Sequence, residues 1–306
     1  MARNLLTTFK SHKTKDISWR KCQLKQLLKG YEALWGEMQT AITKDLQRSA
    51  FLSDAVELIP TFNEIKSCLN NVEKWSADEH VSSPFANFPA CSKIKWEPLG
   101  VAGIISSWNY PIVTCIGPLA TCIAAGNCAI IKPSEIGTHS EQIIKKLVTS
   151  YLDQSAYQIL LGGPETGAEL TSTDLDLIVF TGSTQIGKKV AQAAADNLTP
   201  CILELGGKSP TIVDKSCNID WASKKVLFSR FVNSGQTCIA TDYVLVHKSI
   251  ASQFKLALSK NLKAAFGNKS LGSLNPDLGG IINEMHMKRL CDMVSEQPES
   301  AKIIEG

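Results

Sequence analysis

Ten cysteines are present, yet no two form a CxxC pair and none joins the five histidines in a cluster at metal-ligand spacing. A zinc site and a redox dithiol are therefore not indicated, and no metal is expected. An excess of one charge sign is also lacking: a formal net charge of +3 over 306 residues is too weak to suggest nucleic acid as a partner. No apolar run reaches membrane-spanning length, and the N-terminus lacks the long apolar core of a secretory signal. Free thiols in a chain without an export signal fit a reducing compartment. GxGxxG is missing as well, so the standard dinucleotide fingerprint cannot be claimed.

What the chain does contain is enough apolar sequence, 44% hydrophobic against 20% charged, to bury more than one core. From about Trp19 to Trp75, apolar residues such as Leu24, Leu27, Leu28, Tyr31 and Leu34 recur at three- and four-residue spacing, which predicts helices. Asp78 to Ala90 breaks that period with Ser82, Ser83, Pro84 and Pro89 and reads as a loop, leading into a half-exposed strand over Cys91–Pro98. Between Gly100 and Leu205 come five short apolar runs, VAGIIS, CAIIK, YQILL, LDLIVFT and CILEL, separated by helical segments. That alternation predicts an α/β fold with a doubly wound parallel sheet, whose ligands bind at the carboxyl ends of the strands. After Gly206, PTIVD and Tyr243–His247 read as strands, Trp221–Phe231 and Ser249–Phe266 as helices, and the lone His247 and His286 as structural.

Three positions carry chemistry. Cys238 sits in FVNSGQTCIATD (Phe231 to Asp242), where small and polar residues suit an accessible thiolate and Gly235 permits a tight turn. A buried structural cysteine is the more ordinary reading of one such residue. Glu204, between Leu203 and Leu205 in LELGGKSP, is a carboxylate expected to lose water and act as a general base near neutral pH. Asn109 follows the first strand and would either satisfy a turn or donate to an oxyanion. GSTQIG opens an Ala-rich helix over Lys188–Ala195, and such an N-terminus can hold a phosphate, although Gly-Ser-Thr is equally an ordinary cap.

Glu204 in LELGGKSP and Cys238 in NSGQTCIA, together with PLGVAGIISSWNYPI (Pro98 to Ile112), IIKPSE (Ile130 to Glu135) and FTGSTQIG (Phe180 to Gly187), resemble the aldehyde dehydrogenase superfamily across essentially the whole chain. NYP and INEMHMKRL point to its class 3 branch, which acts on fatty and aromatic aldehydes. The basic, hydroxyl-bearing opening is faintly like a transit peptide, but TFKSHKTKDISWRKCQLKQL resembles the start of cytosolic class 3 chains, so the expected location is cytoplasmic. The resemblance implies helices, a bridging strand and an NAD-binding domain over 1–205, and a partial catalytic domain over 206–306. It implies Cys238 as nucleophile, Glu204 as base and Asn109 as oxyanion donor. It further implies cofactor contacts from Trp108, Lys132, Glu135, Gly182, Ser183 and Gly187. Glu135 would repel a 2'-phosphate and so favours NAD over NADP, although class 3 members with the same KPSE often accept both. An aldehyde substrate, aliphatic or aromatic, and a homodimer for the intact protein are implied in the same way. Because the coenzyme A-acylating branch lacks the Glu204 base, hydrolysis to a carboxylic acid is expected.

Two features depart from the family pattern. Thr241 stands where class 3 members usually have Pro, a change expected to alter loop rigidity or substrate fit. The family also continues past Gly306, so the second unit is expected to be about half present and to expose apolar surface and sheet edges. Two other readings use the same residues: an NAD-binding form that does not turn over, and a cysteine-dependent esterase using Cys238 and Glu204 without hydride transfer.

Overall fold

The N-terminal third is helical because its apolar spacing gives each helix one buried stripe. In order these are α1 (Ala2–Lys10), α2 (Ile17–Ala33), α3 (Trp35–Leu46), α4 (Ala50–Ser53) and α5 (Ile59–Trp75). Leu24, Leu27 and Tyr31 on α2 have no exposed surface, and the Asp16 carboxylate starts that helix by accepting from the Trp19 amide. Between α4 and α5, Asp54–Leu58 is wound as a π-helix. The computed structural model describes residues 1–267, 278–298 and 300–303, so Gly306 lies outside the described residues.

The stretch expected to be a loop, Asp78–Ala90, begins instead with a strand, β1 (Glu79–Val81), paired antiparallel to β2 (Ser92–Ile94) with Glu79 opposite Ile94. All three residues of β1 are exposed, so no alternation of burial marks it in the sequence; its ladder to β2 alone creates it. β2 is also shorter and more exposed than expected.

The central sheet follows the predicted alternation: β3 (Val101–Ile105), α6 (Val113–Ala125), β4 (Cys128–Lys132), α7 (Thr138–Tyr151), β5 (Tyr157–Ile159), α8 (Pro164–Thr171), β6 (Leu177–Thr181), α9 (Thr184–Ala195) and β7 (Cys201–Glu204). The five strands run parallel in the order β5-β4-β3-β6-β7. Every residue of β3 and β4 is buried, as expected for strands covered on both faces. The chain winds outward from β3 to β5 and then returns to β6, so the order reverses between β3 and β6. A crevice outside the carboxyl ends of these two strands is where such sheets bind ligands.

Beyond the sheet, β8 (Pro210–Val213) and β9 (Tyr243–Val246) pair in parallel, with α10 (Ile219–Phe231) and α11 (Ala251–Phe266) packed against them, and α12 (Glu284–Ser295) follows. Their separate core is small, made of Val213, Val226, Ile250 and Phe254. Apolar residues stay outside it, Ile212 being 77% and Leu256 71% exposed. No described helix is long and apolar enough to cross a membrane.

Arg20 ties the helical layer to the sheet layer. Almost fully buried, it donates to the carbonyls of Thr14 (2.9 Å), Lys15 (2.9 Å) and Ala124 (3.2 Å) and to the Ser76 hydroxyl (3.1 Å). Ala124 lies in the last turn of α6, where a cation also meets the negative end of the helix dipole. Arg20→Ala strands several buried acceptors and is expected to cost about 3 kcal/mol, read as a lower urea midpoint by tryptophan fluorescence. An unchanged midpoint would show that water replaces the guanidinium without penalty.

Candidate active site

The loop leaving β3 enters the crevice at the reversal point with Ser107, Trp108, Asn109 and Tyr110. Its central residue is fastened on every side. The Asn109 side-chain oxygen accepts from the Ser107 hydroxyl at 2.6 Å, and its amide nitrogen donates to the Gln236 carbonyl at 2.8 Å. Its backbone carbonyl accepts from the Asn233 side-chain amide at 2.9 Å and lies 3.5 Å from an Arg48 guanidinium nitrogen. The Tyr110 and Thr237 hydroxyls share a further hydrogen bond at 2.7 Å. Asn109 and Cys238, far apart in sequence, are thereby brought to one place.

The segment before Cys238 is an unusual piece of backbone. Asn233, Ser234 and Gly235 all have positive φ, at 52°, 55° and 75°. Glycine takes this conformation freely, but the two other residues need external support. Ser234 donates to the Leu278 carbonyl at 2.6 Å. Gln236 donates to the carbonyls of Asn233 (3.0 Å) and Gly280 (2.9 Å) and accepts from the Ile282 amide at 3.0 Å. Cys238 itself is exposed, as a nucleophile requires.

LELGGKSP passes directly behind it. A Cβ on Gly207 would stand 2.8 Å from the Cys238 carbonyl oxygen, which also accepts from the Ser209 hydroxyl at 3.4 Å. Only glycine permits that approach. Glu204 ends β7 opposite Thr181, and its carbonyl accepts from the Gly182 amide at 3.0 Å. The expected desolvation of Glu204 is not found, since the residue is exposed. Strand alternation explains this: Cys201, Leu203 and Leu205 pack against the core, whereas Ile202 and Glu204 face outward.

A cleft of about 790 Å³ is lined by Trp108, Asn109, Gly182, Ser183, Glu204 and Cys238 together. Lys132, Glu135 and Gly187 lie outside its lining. Lys132, at the end of β4, is 3% exposed and forms an ion pair with Glu135 at 2.9 Å. Ser183 caps α9 by accepting from the Ile186 amide at 3.3 Å. Gly187 packs against Leu205, whose side chain would meet an added Cβ at 2.5 Å.

Several features of the site were not foreseen. His286 was expected to be structural; its ring lies 4.9 Å from that of Trp108 and it lines the cleft with Arg289. Burial and the Arg289 charge hold its pKa below the usual histidine value, so it is neutral at neutral pH. His247 does act structurally, accepting from the Ser249 amide at 3.3 Å. Thr241 does bear on loop rigidity: its amide donates to the Ser229 hydroxyl at 3.0 Å, and its hydroxyl meets that of Thr211 at 3.0 Å. Proline could not make the first of these bonds.

A family model described as the aldehyde dehydrogenase family matches residues 5–306. The chain belongs to the aldehyde dehydrogenase family. It is 39% identical over 287 residues to aldehyde dehydrogenase family 3 member B2 of Mus musculus, covering 94% of this chain and 60% of that protein. It is 40% identical over 287 residues to 4,4'-diaponeurosporen-aldehyde dehydrogenase of Staphylococcus aureus, covering 94% and 62%. The solved substrate-bound state of Staphylococcus aureus AldH superposes with a TM-score of 0.92 at 39% identity, over 96% of this chain and 64% of that one. The chain thus spans about three-fifths of the length of these curated relatives.

The groups expected to meet a nicotinamide dinucleotide fit one in this aldehyde dehydrogenase fold. The Lys132 ammonium has three donors and only two acceptors among the described residues, the Pro133 carbonyl and Glu135, which leaves one N–H for a ribose hydroxyl. The N-terminus of α9, opened by Gly182 and Ser183, suits a pyrophosphate.

Thiol reactivity tests the burial pattern. Burial pushes the Cys115 and Cys128 thiols up to about 12 and Cys68 up to about 11. A raised thiol pKa favours the neutral form, so at about pH 8 their thiolate fraction is on the order of one in a thousand or less. Brief iodoacetamide treatment of the native protein followed by peptide mass mapping is expected to label Cys238 and leave these three unmodified. Labelling of Cys115 before Cys238 would contradict the structure.

Proposed function

We propose that this chain carries the nucleophile, oxyanion donors and cofactor contacts for NAD(P)-dependent oxidation of an aldehyde to a carboxylic acid. The observation that carries the reading is the stitching of Asn109 to the Cys238 loop through the 2.8 Å bond to the Gln236 carbonyl. That bond uses one N–H of the Asn109 amide and leaves the other for an oxyanion. The Cys238 backbone N–H, which has no acceptor among the described residues, is the second donor.

In this reading the Cys238 thiolate adds to the aldehyde carbon, and the oxygen gains negative charge between the two donors. A bound nicotinamide supplies the acceptor for the hydride that leaves as the oxyanion collapses. A thioester then remains on Cys238. Glu204 takes a proton from water, the hydroxide attacks the thioester carbonyl, and the acid departs as the thiolate is restored. The exposure of Glu204 gives it ready access to water. Lys132 and Glu135 hold the adenosine ribose, Gly182, Ser183 and the α9 turn that includes Gly187 hold the pyrophosphate, and Trp108 walls the cleft. Glu135 disfavours a 2'-phosphate, but Lys132 at 2.9 Å offsets its charge, which supports NAD as cofactor with NADP also accepted. Val56, Val113, Phe228 and Val232 in the lining favour an aliphatic or aromatic aldehyde. Ten free cysteines support a cytoplasmic location, and we read the intact protein as a homodimer.

The test is NADH formation with a medium-chain aldehyde, followed by nicotinamide absorbance. Cys238→Ala is expected to abolish it, and Asn109→Ala to lower kcat about 100- to 1000-fold. Glu204→Gln is expected to keep a first-turnover burst while steady-state turnover falls. NAD binding without reduction would support a non-catalytic binding form, and ester hydrolysis indifferent to NAD would support the esterase; either outcome defeats this reading.

A further inference from the structure

Arg48 and Glu57 form an ion pair with neither side chain exposed at all, directly beneath the Asn109 loop. Neither residue lies in a motif of the reaction. Glu57 sits in the π-helical turn Asp54–Leu58, and Arg48 lies in the bend between α3 and α4. One guanidinium nitrogen of Arg48 donates to the Glu57 carboxylate, and its Nε lies 3.3 Å from the Ser53 hydroxyl. Another reaches toward the Asn109 carbonyl at 3.5 Å, and the guanidinium stands 5.1 Å from the Tyr110 ring centroid. The free oxygen of Glu57 accepts from the Ile112 amide at 2.6 Å and the Val113 amide at 3.3 Å. These two amides open α6, which has no side-chain cap of its own.

We propose that the Arg48–Glu57 pair is a positioning device for Asn109, fixing the oxyanion donor against the nucleophile loop. The pair grips the Asn109 segment at both ends, by the carbonyl of Asn109 and by the first amides of α6. On its other side the Asn109 carbonyl accepts from Asn233, which belongs to the strained loop that must itself be held in place. Burying two charges costs several kcal/mol per ion, and apolar side chains of similar volume commonly replace such a pair without loss of stability. Its distinctive contribution is therefore directional. Glu57 also places a negative charge at the positive end of α6, and Arg48 balances it where neither side chain has solvent-exposed surface. An oxyanion donor displaced by about 1 Å loses on the order of 100-fold in rate, so a rigid support beneath it has a measurable consequence.

This inference rests on the role proposed for Asn109, and its test separates the two. A single Glu57→Ala change would leave Arg48 buried without a counter-charge, so the informative variant is the neutral double Arg48→Met/Glu57→Leu. It is expected to fold with a melting temperature near that of the unsubstituted chain. Its kcat for aldehyde oxidation should fall about 30- to 100-fold with KM changed less than about threefold, and the fall should vanish in an Asn109→Ala background. The Asn109 side-chain amide signal in a nitrogen-15 NMR spectrum, assigned by its loss in Asn109→Ala, should shift or broaden in the double variant. Wild-type kcat, an equal fall in the Asn109→Ala background, or a variant that no longer folds would each overturn the proposal, the last because the pair would then be structural. If the unsubstituted chain shows no turnover, the dehydrogenase reading fails, and the NMR signal alone decides this inference: an unchanged signal overturns it.

Discussion

The peptide and side chain of Asn109 are the junction on which the site depends. On one side is the end of β3, set in a sheet that is buried on both faces; on the other is a loop that contributes the thiol. A sheet strand can place a residue reproducibly because its ladder and its packing leave no slack. A loop cannot, and here it borrows order by donating Asn233 and accepting with Gln236. The chemistry proposed for Cys238 thus relies on hydrogen bonds made more than a hundred residues away in sequence.

That borrowing carries a structural cost. Two non-glycine residues in left-handed backbone are each unfavourable by about 1 kcal/mol or more, and they persist because Ser234 and Gln236 are bonded to residues 278–282. The Asn233 side-chain oxygen is buried with no partner among the described residues. Left-handed non-glycine backbone also occurs singly at His12, Gln47, Leu198 and Ser209, whereas at Asn233 and Ser234 two such residues adjoin beside the cleft. By contrast, β8, β9 and their helices pack around a core that, among the described residues, consists of the buried Val213, Val226, Ile250 and Phe254.

Much of the scaffold was legible in the chain. The run of short apolar segments from Gly100 to Leu205 became β3 to β7 because strands covered on both faces are continuously hydrophobic. The meeting of Asn109, Glu204 and Cys238 in one cleft was legible through motifs that resemble a known family, not through spacing. Other features left no local signature. β1 exists through pairing alone, with no buried face to set a period. The apolar neighbours of Glu204 suggested a desolvated carboxylate, but alternation turned it outward. His286 looked isolated and lies against Trp108.

The sequence by itself determined the helical N-terminal stretch, the five strands between Gly100 and Leu205 and their parallel winding, because these follow from periodicity and the rules of chain connection. Tertiary structure alone decided what supports the reactive groups. Arg48 and Glu57 carry no motif or spacing that marks them in the sequence, and only packing buries them under Asn109. The reason is physical: burial and hydrogen-bond direction depend on neighbours far along the chain, and a charge has no local pattern that tells whether water or another charge will satisfy it.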